Sequence, residues 1–263
     1  MLNMLKSLLR KIIGEKHDDK LRFLKRFIND PVVGITYAFT NMLHEPALAK
    51  IGAYHKTDKA DSNHSFMNLS YLDIYEKYFN ELRDKNISIL EIGVNDGASL
   101  RVWKSYFKHA MIYGIDIDPR CKKLEENRIS IENGSQDDED FLQNCFGQGT
   151  KFDVIIDDGS HINSFTIKSF EYLFNKRLNS GGIYIIEDLG CSYEKLQTNH
   201  DILENWPGMK FNDPSKVYDN NRKDMDTFFM NKISKLDHLE GNILSIHFWS
   251  MFAVIIKAPS SVG

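Results

Sequence analysis

The chain has 263 residues, 42% hydrophobic and 27% charged, which is enough for one large domain of mixed α and β structure with a well-buried core. Its formal net charge of −4 argues against a nonspecific nucleic-acid binder, so the partner is expected to be a small molecule or glycan and not a nucleic acid. Three cysteines, Cys121, Cys145 and Cys191, lack CxxC spacing, which excludes a disulfide framework and a zinc knuckle and points to the cytoplasm.

Residues 1–16 place Leu2, Leu5, Leu8, Leu9, Ile12 and Ile13 at helical spacing, but Lys6, Arg10 and Lys11 interrupt the apolar run that a signal peptide or membrane span requires. The helix is amphipathic. It suits packing against its own domain or a partner subunit, including a second copy in a homo-oligomer, better than it suits a membrane surface. A second helix carries Leu21, Leu24, Phe27 and Ile28 and stops at Asn29-Asp30-Pro31. Residues 1–60 therefore read as a helical cap and lead-in, and 61–263 as the main domain. After an irregular stretch from Tyr54 to Lys59, the apolar positions Phe66, Leu69, Leu72, Tyr75, Phe79 and Leu82 predict a helix leading into a sheet.

Strand and helix patterns then alternate. The apolar runs predict strands near Ser88–Ile92, Met111–Ile115, Ile129–Glu132, Phe152–Ile156 and Ile183–Ile186. Helices are predicted near Ser99–Lys108, Pro119–Asn127, Asp137–Asn144 and Ser164–Lys176. Between 190 and 240 the pattern loosens into turns at Trp206-Pro207-Gly208 and Asn212-Asp213-Pro214. A helix carrying Met225, Phe228, Phe229, Ile233 and Leu236 follows, and this insertion is the expected seat of substrate selectivity. Ile243–Trp249 and Phe252–Lys257 are strand-like runs with almost no loop between them and should pair as an antiparallel terminal hairpin. The fold expected is a doubly wound, mostly parallel α/β sheet with that hairpin at its edge and a helical cap at the N-terminus.

Two runs, Phe152–Asp158 and Gly181–Asp188, end in carboxylates at the carboxyl ends of predicted parallel strands, where ligands of such sheets bind. If the strands are neighbours, about 4.8 Å apart, then Asp158, Glu187 and Asp188 converge into a negative cluster that calls for a cation, and an all-oxygen site suits magnesium. Carboxylates at strand ends also cap helices or bind surface cations, but three of them in two doublets beside His161 favour a metal. Upstream, the turn Glu91-Ile92-Gly93-Val94-Asn95-Asp96-Gly97 lets backbone approach a ligand, and Asp116 ends the next strand where such folds bind ribose hydroxyls. The spacing is ExGxxxG and not GxGxxG. Acidic Glu91 and Asp96 would repel the pyrophosphate of NAD but tolerate a sulfonium.

These residues resemble the class I S-adenosylmethionine-dependent methyltransferases, from about Asp58 to the C-terminus. More narrowly, Thr57-Asp58-Lys59, Asp157-Asp158-Gly159-Ser160-His161, and Glu187-Asp188 followed by Ser192-Tyr193 are similar to the metal-dependent macrolide-sugar O-methyltransferases and the proteins called cephalosporin hydroxylases. The resemblance implies a seven-stranded sheet, S-adenosyl-L-methionine and Mg2+ as cofactors, Asp158, Glu187 and Asp188 as metal ligands, and His161 as general base. It places Asp58, Lys59, Glu91, Gly93, Asn95, Gly97 and Asp116 around the cofactor, with Ser135 and Gln136 near the adenine. Asp157 either contacts the cofactor or caps the following turn. Ser192, Tyr193 and Trp206 are acceptor candidates, with filling the insertion's core the alternative for Tyr193, Trp206 and Tyr218.

The activity expected is methyl transfer to a sugar hydroxyl. The sugar is nucleotide-activated, part of a capsular or other surface glycan, or carried by a secondary metabolite, and the Lys, Asn, Ile and Phe richness suits a low-GC bacterium. A second reading keeps the cofactor and changes the acceptor to a small phosphorylated metabolite or an amine. An NAD-binding oxidoreductase is disfavoured by the glycine spacing, and a noncatalytic binding protein by the intact motifs.

Overall fold

The computed structural model describes residues 47–61, 69–193, 195–196 and 218–260. The expectations for the first 46 residues, for Phe66, and for Trp206 with its neighbouring turns lie outside the described residues. The chain divides after Ala47, and Leu48–Gly263 is one compact unit.

The central strands are built by side chains that find apolar partners on both faces, whereas the two edge strands, Ile129–Asn133 and Ile243–Phe248, are only partly buried. Strand β1 (Ser88–Ile92) leads into helix α3 (Ala98–Tyr106), β2 (Met111–Asp116) into a short 3-10 turn, and β3 (Ile129–Asn133) into α4 (Glu139–Asn144). Strand β4 (Phe152–Asp157) is followed by α5 (Asn163–Lys176) and β5 (Leu178–Ile186). Helix α6 (Arg222–Asp237) and the strands β6 (Ile243–Phe248) and β7 (Ala253–Lys257) complete the described chain. Upstream lie α1 (Leu48–His55) and α2 (Tyr71–Phe79). Helix α2 opens with a capping box, in which Ser70 Oγ accepts from the Asp73 amide and the Asp73 carboxylate accepts from the Ser70 amide.

The seven strands run in the order β3-β2-β1-β4-β5-β7-β6. The first five are parallel, and β7 is antiparallel to both β5 and β6. This is the doubly wound sheet with a terminal antiparallel hairpin that the sequence pattern predicts. On β4, Val154 and Ile156 join Ile89, Trp103, Tyr75 and Phe79 in a core on the α1–α3 side. Ile155 between them joins Leu90, Phe170, Leu173, Tyr184 and Phe228 under α5 and α6. The period-two alternation thus feeds two apolar layers from one continuous apolar run.

Three local departures have physical causes. Pro119–Leu124 is a 3-10 turn and not an α-helix to Asn127, because Asp118 caps the Arg120 amide and the chain bends at Glu125, whose carboxylate accepts from the Ile131 amide. Strand β5 starts at Leu178, upstream of Gly181, whose φ of 76° places it where only glycine is unstrained, and the pairing with β4 shifts register between Phe152 and Val154. The stretch read as irregular from Tyr54 begins with the last two residues of α1. A two-residue antiparallel ladder pairs Lys195–Leu196 with Tyr218–Asp219 within the insertion. Among the described residues no helix is long and apolar enough to cross a membrane.

Candidate active site

The carboxyl ends of β1, β2, β4 and β5 converge on one edge of the sheet, and the site grows from their loops. After β1 the chain turns through Gly93, with φ 91°, and enters α3 through Gly97, with φ 75°. Asp116 at the end of β2 reaches back to this turn. Its Oδ2 accepts from the amides of Val94 at 2.8 Å and Asn95 at 3.0 Å, while Oδ1 accepts from Asp118 at 2.8 Å. The predicted ribose acid therefore also shapes the glycine turn. A cavity of about 210 Å³ opens beside it, bordered by Asp58, Lys59, Gly93, Asn95, Ser99 and Asp158 among others.

Several residues predicted to touch cofactor face inward. Glu91 is fully buried, accepts from Trp103 Nε1 at 2.8 Å, and lies 3.6 Å from Lys59 Nζ. Burial pushes its carboxyl up to about 7 against the pull of the Lys59 ammonium. Gln136 donates from its amide to Asp157 and Ser169 and accepts from the Ser160 amide, so its side chain is engaged within the protein. Asp157 is the centre of that network, with Ser169 Oγ donating to Oδ2 at 2.8 Å. Its carboxylate also accepts from the Gly159 amide, which caps the following turn. Ser135 is half-buried and donates to Asp137. A larger groove, about 750 Å³, lies between α4 and α5, bordered by Gln136, Asp137, Glu139 and Glu171 among others and by none of Asp158, Glu187 and Asp188.

The acids meet because β4 and β5 are neighbours, with Asp157 opposite Ile186. The Glu187 amide donates to the Asp157 carbonyl at 2.9 Å, which sets Asp158 and Glu187 side by side. Between them stands Lys59, predicted as a cofactor residue but buried here, its ammonium bonded to Asp158 Oδ2 and at 2.8 Å to Glu187 Oε2. Burial opposes the Lys59 charge, yet Asp158, Glu187 and Glu91 outweigh it and hold the ammonium well above its ordinary pKa. Helix α2 supplies two donors: Tyr75, which the sequence pattern places on the apolar face, and Tyr71, which it does not single out. Tyr71 donates to Asp188 Oδ1 at 2.7 Å and Tyr75 to Glu187 Oε1 at 2.5 Å. Burial and these acids push both phenols up. Their only sequence signal is a pair of tyrosines four apart, which puts two hydroxyls on one helical face.

Asp158, His161 and Asp188 each bring a ligand atom within 4.8 Å of the others. His161 Nε2 lies 3.9 Å from Asp158 Oδ1 and 3.7 Å from Asp188 Oδ2. Both His161, φ 54°, and Asp188, φ 51°, adopt the left-handed conformation, a strained backbone state that collects at functional sites. The structure thus groups two of the three predicted metal acids with the predicted base. Glu187 borders the same small cleft, with its oxygens held by Tyr75 and Lys59. Glu91, Asp158 and Glu187 crowd one ammonium, and burial together with the Asp158 charge pushes the Glu187 carboxyl up. A donor set of hard oxygens with excess negative charge fits a divalent cation of the magnesium or manganese type.

Asn220, unmarked by any sequence motif, secures the His161 loop from within the insertion. Its amide donates to the His161 carbonyl at 2.8 Å and to the Cys191 carbonyl at 3.0 Å, and its Oδ1 accepts from the Asn163 amide. Ser192 is buried, donates to the Leu189 carbonyl and accepts from Arg222 at 2.8 Å, so it is a structural tie and not an open acceptor contact. Tyr193 is 68% exposed, with the Arg222 guanidinium 4.8 Å from its ring centre.

No protein-family model matches the chain. It is 29% identical over 238 residues to the 8-demethyl-8-alpha-L-rhamnosyl tetracenomycin-C 2'-O-methyltransferase of Streptomyces olivaceus, covering 88% of this chain and 56% of that protein. It is 35% identical over 171 residues to the demethylmacrocin O-methyltransferase of Streptomyces fradiae, covering 62% of this chain and 38% of the relative. The chain therefore spans about half or less of the length of these curated relatives. Among solved structures, the MycE methyltransferase of the mycinamycin biosynthetic pathway, in complex with Mg and SAH, superposes with a TM-score of 0.63 at 29% identity, covering 84% of this chain and 56% of that one. The chain carries the class I methyltransferase fold and is similar in sequence and structure to the sugar O-methyltransferases of secondary metabolism.

Proposed function

We propose that the protein is an S-adenosylmethionine-dependent O-methyltransferase that uses a divalent cation and acts on a sugar hydroxyl. The observation that carries this reading is the convergence of Asp158, His161 and Asp188 directly beside the Gly93–Gly97 turn. The likeness to a methyltransferase solved with Mg and SAH supports it. So do the relatives' names, which give a rhamnosyl tetracenomycin and mycinamicin VI as acceptors. The acceptor proposed here is a sugar hydroxyl on a glycoside or glycan, with nucleotide-activated and capsular sugars within that class.

An alcohol is almost fully protonated at neutral pH, so a methyl acceptor needs both a proton acceptor and a fixed position. Asp158 and Asp188, with Glu187 beside them, would hold a divalent cation, which would supply Lewis acidity and a template for hydroxyl groups. Asp116 and the glycine turn bind the nucleoside and methionyl parts of the methyl donor. His161 takes the hydroxyl proton on Nε2 as the oxygen–carbon bond forms and the sulfur–carbon bond breaks. Lys59 stays charged and keeps Asp158 and Glu187 together throughout.

The test is S-adenosylhomocysteine production by the purified full chain with a panel of deoxyhexose glycosides, nucleotide sugars and glycan fragments, with magnesium and after exhaustive chelation. Acceptor-dependent and metal-dependent turnover is expected. Calorimetric binding of NAD without binding of S-adenosylhomocysteine would overturn the reading.

A further inference from the structure

Helix α2 stands over the acidic doublet with two phenols a little more than one turn apart. Tyr71 donates to Asp188 Oδ1 and thereby leaves Oδ2 facing His161 at 3.7 Å. Tyr75 donates to Glu187 Oε1 while Lys59 holds Oε2, so this carboxylate is fixed from two sides. The rings are themselves locked. Tyr75 packs against Phe79, Trp103 and Phe252, with ring centres 5.3, 5.9 and 5.4 Å away, and Tyr71 packs against Phe252 at 5.0 Å. A third phenol on the same helix aims elsewhere: Tyr78 meets His247 Nδ1 at 2.7 Å and accepts from Trp249 Nε1 at 2.8 Å.

A phenol orients a carboxylate without cancelling its charge, whereas each added ammonium would subtract from the attraction for a cation. One cation, Lys59, already sits among the acids. We propose that Tyr71 and Tyr75 are positioning residues for the metal, holding Asp188 and Glu187 in the orientations in which they meet a divalent cation. This rests on the metal-dependent reading above and assigns to α2 the control of metal affinity at that site.

The experiment compares Tyr71→Phe, Tyr75→Phe and Tyr78→Phe in the full chain, titrating Mn2+ by electron paramagnetic resonance and S-adenosylhomocysteine by calorimetry, with melting temperature as a check on folding. Removing an outer hydrogen bond to a metal ligand lowers metal affinity by about 10–100-fold. That loss is expected for Tyr71→Phe and Tyr75→Phe and not for Tyr78→Phe, with S-adenosylhomocysteine affinity unchanged in all three. Tyr71 keeps a little exposure where Tyr75 has none, so its variant decides the matter alone if Tyr75→Phe melts early. Equal Mn2+ affinity in wild type and Tyr71→Phe overturns the positioning role and leaves the metal reading intact. Failure of wild type to bind Mn2+ at all overturns both.

Discussion

A Cβ built on Gly93 would stand 2.0 Å from the carbonyl oxygen of Asp158, so the turn after β1 and the loop after β4 touch backbone to backbone. The cofactor half and the metal half of the site share this contact. Gly93→Ala must move one of them, and its φ of 91° adds strain on top. Affinities for S-adenosylhomocysteine and Mn2+ should fall together, with a stability loss of at least about 1–3 kcal/mol in denaturant titration. A variant that keeps both affinities would show that the contact yields.

Asp116 gathers three backbone amides. Asp116→Ala should weaken S-adenosylhomocysteine by about 1–3 kcal/mol, the cost of leaving polar partners unmatched. Calorimetry reads this directly, and an unchanged dissociation constant would remove Asp116 from the cofactor site.

Turnover should vanish on exhaustive chelation and return with magnesium or manganese. Asp158→Asn and Asp188→Asn should each lose Mn2+ binding, because an amide oxygen lacks the charge that holds a hard cation. Asparagine tolerates the left-handed backbone at position 188, so a folding defect is not expected there. Full turnover by chelated protein would refute the metal site.

His161→Asn likewise preserves the backbone conformation and removes the imidazole. Loss of a general base lowers turnover by about 10²–10⁴-fold. S-adenosylhomocysteine binding should be unaffected. Near wild-type turnover would mean that the proton leaves by another route.

Asn220→Ala strips two donors from the carbonyls of His161 and Cys191 and an acceptor from Asn163. Turnover should fall while S-adenosylhomocysteine affinity holds, because the cofactor turn is not among its partners. Denaturant titration should show a loss of about 1–3 kcal/mol for the buried groups left unpaired. Equal losses of cofactor affinity and turnover would count against this division of labour.

The apolar runs were legible because the central strands β1 and β4 are buried on both faces, which calls for apolar residues at nearly every position. Strand β1 spans Ser88–Ile92 both as predicted and as observed. The meeting of Asp158 with Asp188 was legible for a related reason, since two acid-ended parallel strands that pair must bring their ends together. Residues whose roles depend on distant partners were not. Lys59 reads as a motif residue beside Asp58, and nothing local says that its ammonium lies among acids 99 and 128 positions away. Gln136 follows a strand, as an adenine contact would, yet a hydrogen-bond network with Asp157, Ser160 and Ser169 draws its amide inward. The 3-10 turn at Pro119 and the glycine bulge in β5 are decided by single hydrogen bonds and one positive φ, below what periodicity resolves.

The donors of α2 and its preceding turn are made long before the acids they serve: Tyr75 precedes Glu187 by 112 residues, Tyr71 precedes Asp188 by 117, and Lys59 precedes Glu187 by 128. At elongation rates of about 5–20 residues per second this interval is on the order of ten seconds. Throughout it the nascent chain holds an ammonium and two hydroxyls awaiting carboxylates that do not yet exist. Closure of the site therefore waits for β5 to emerge and settle beside β4, which makes this one of the later events as the chain leaves the ribosome.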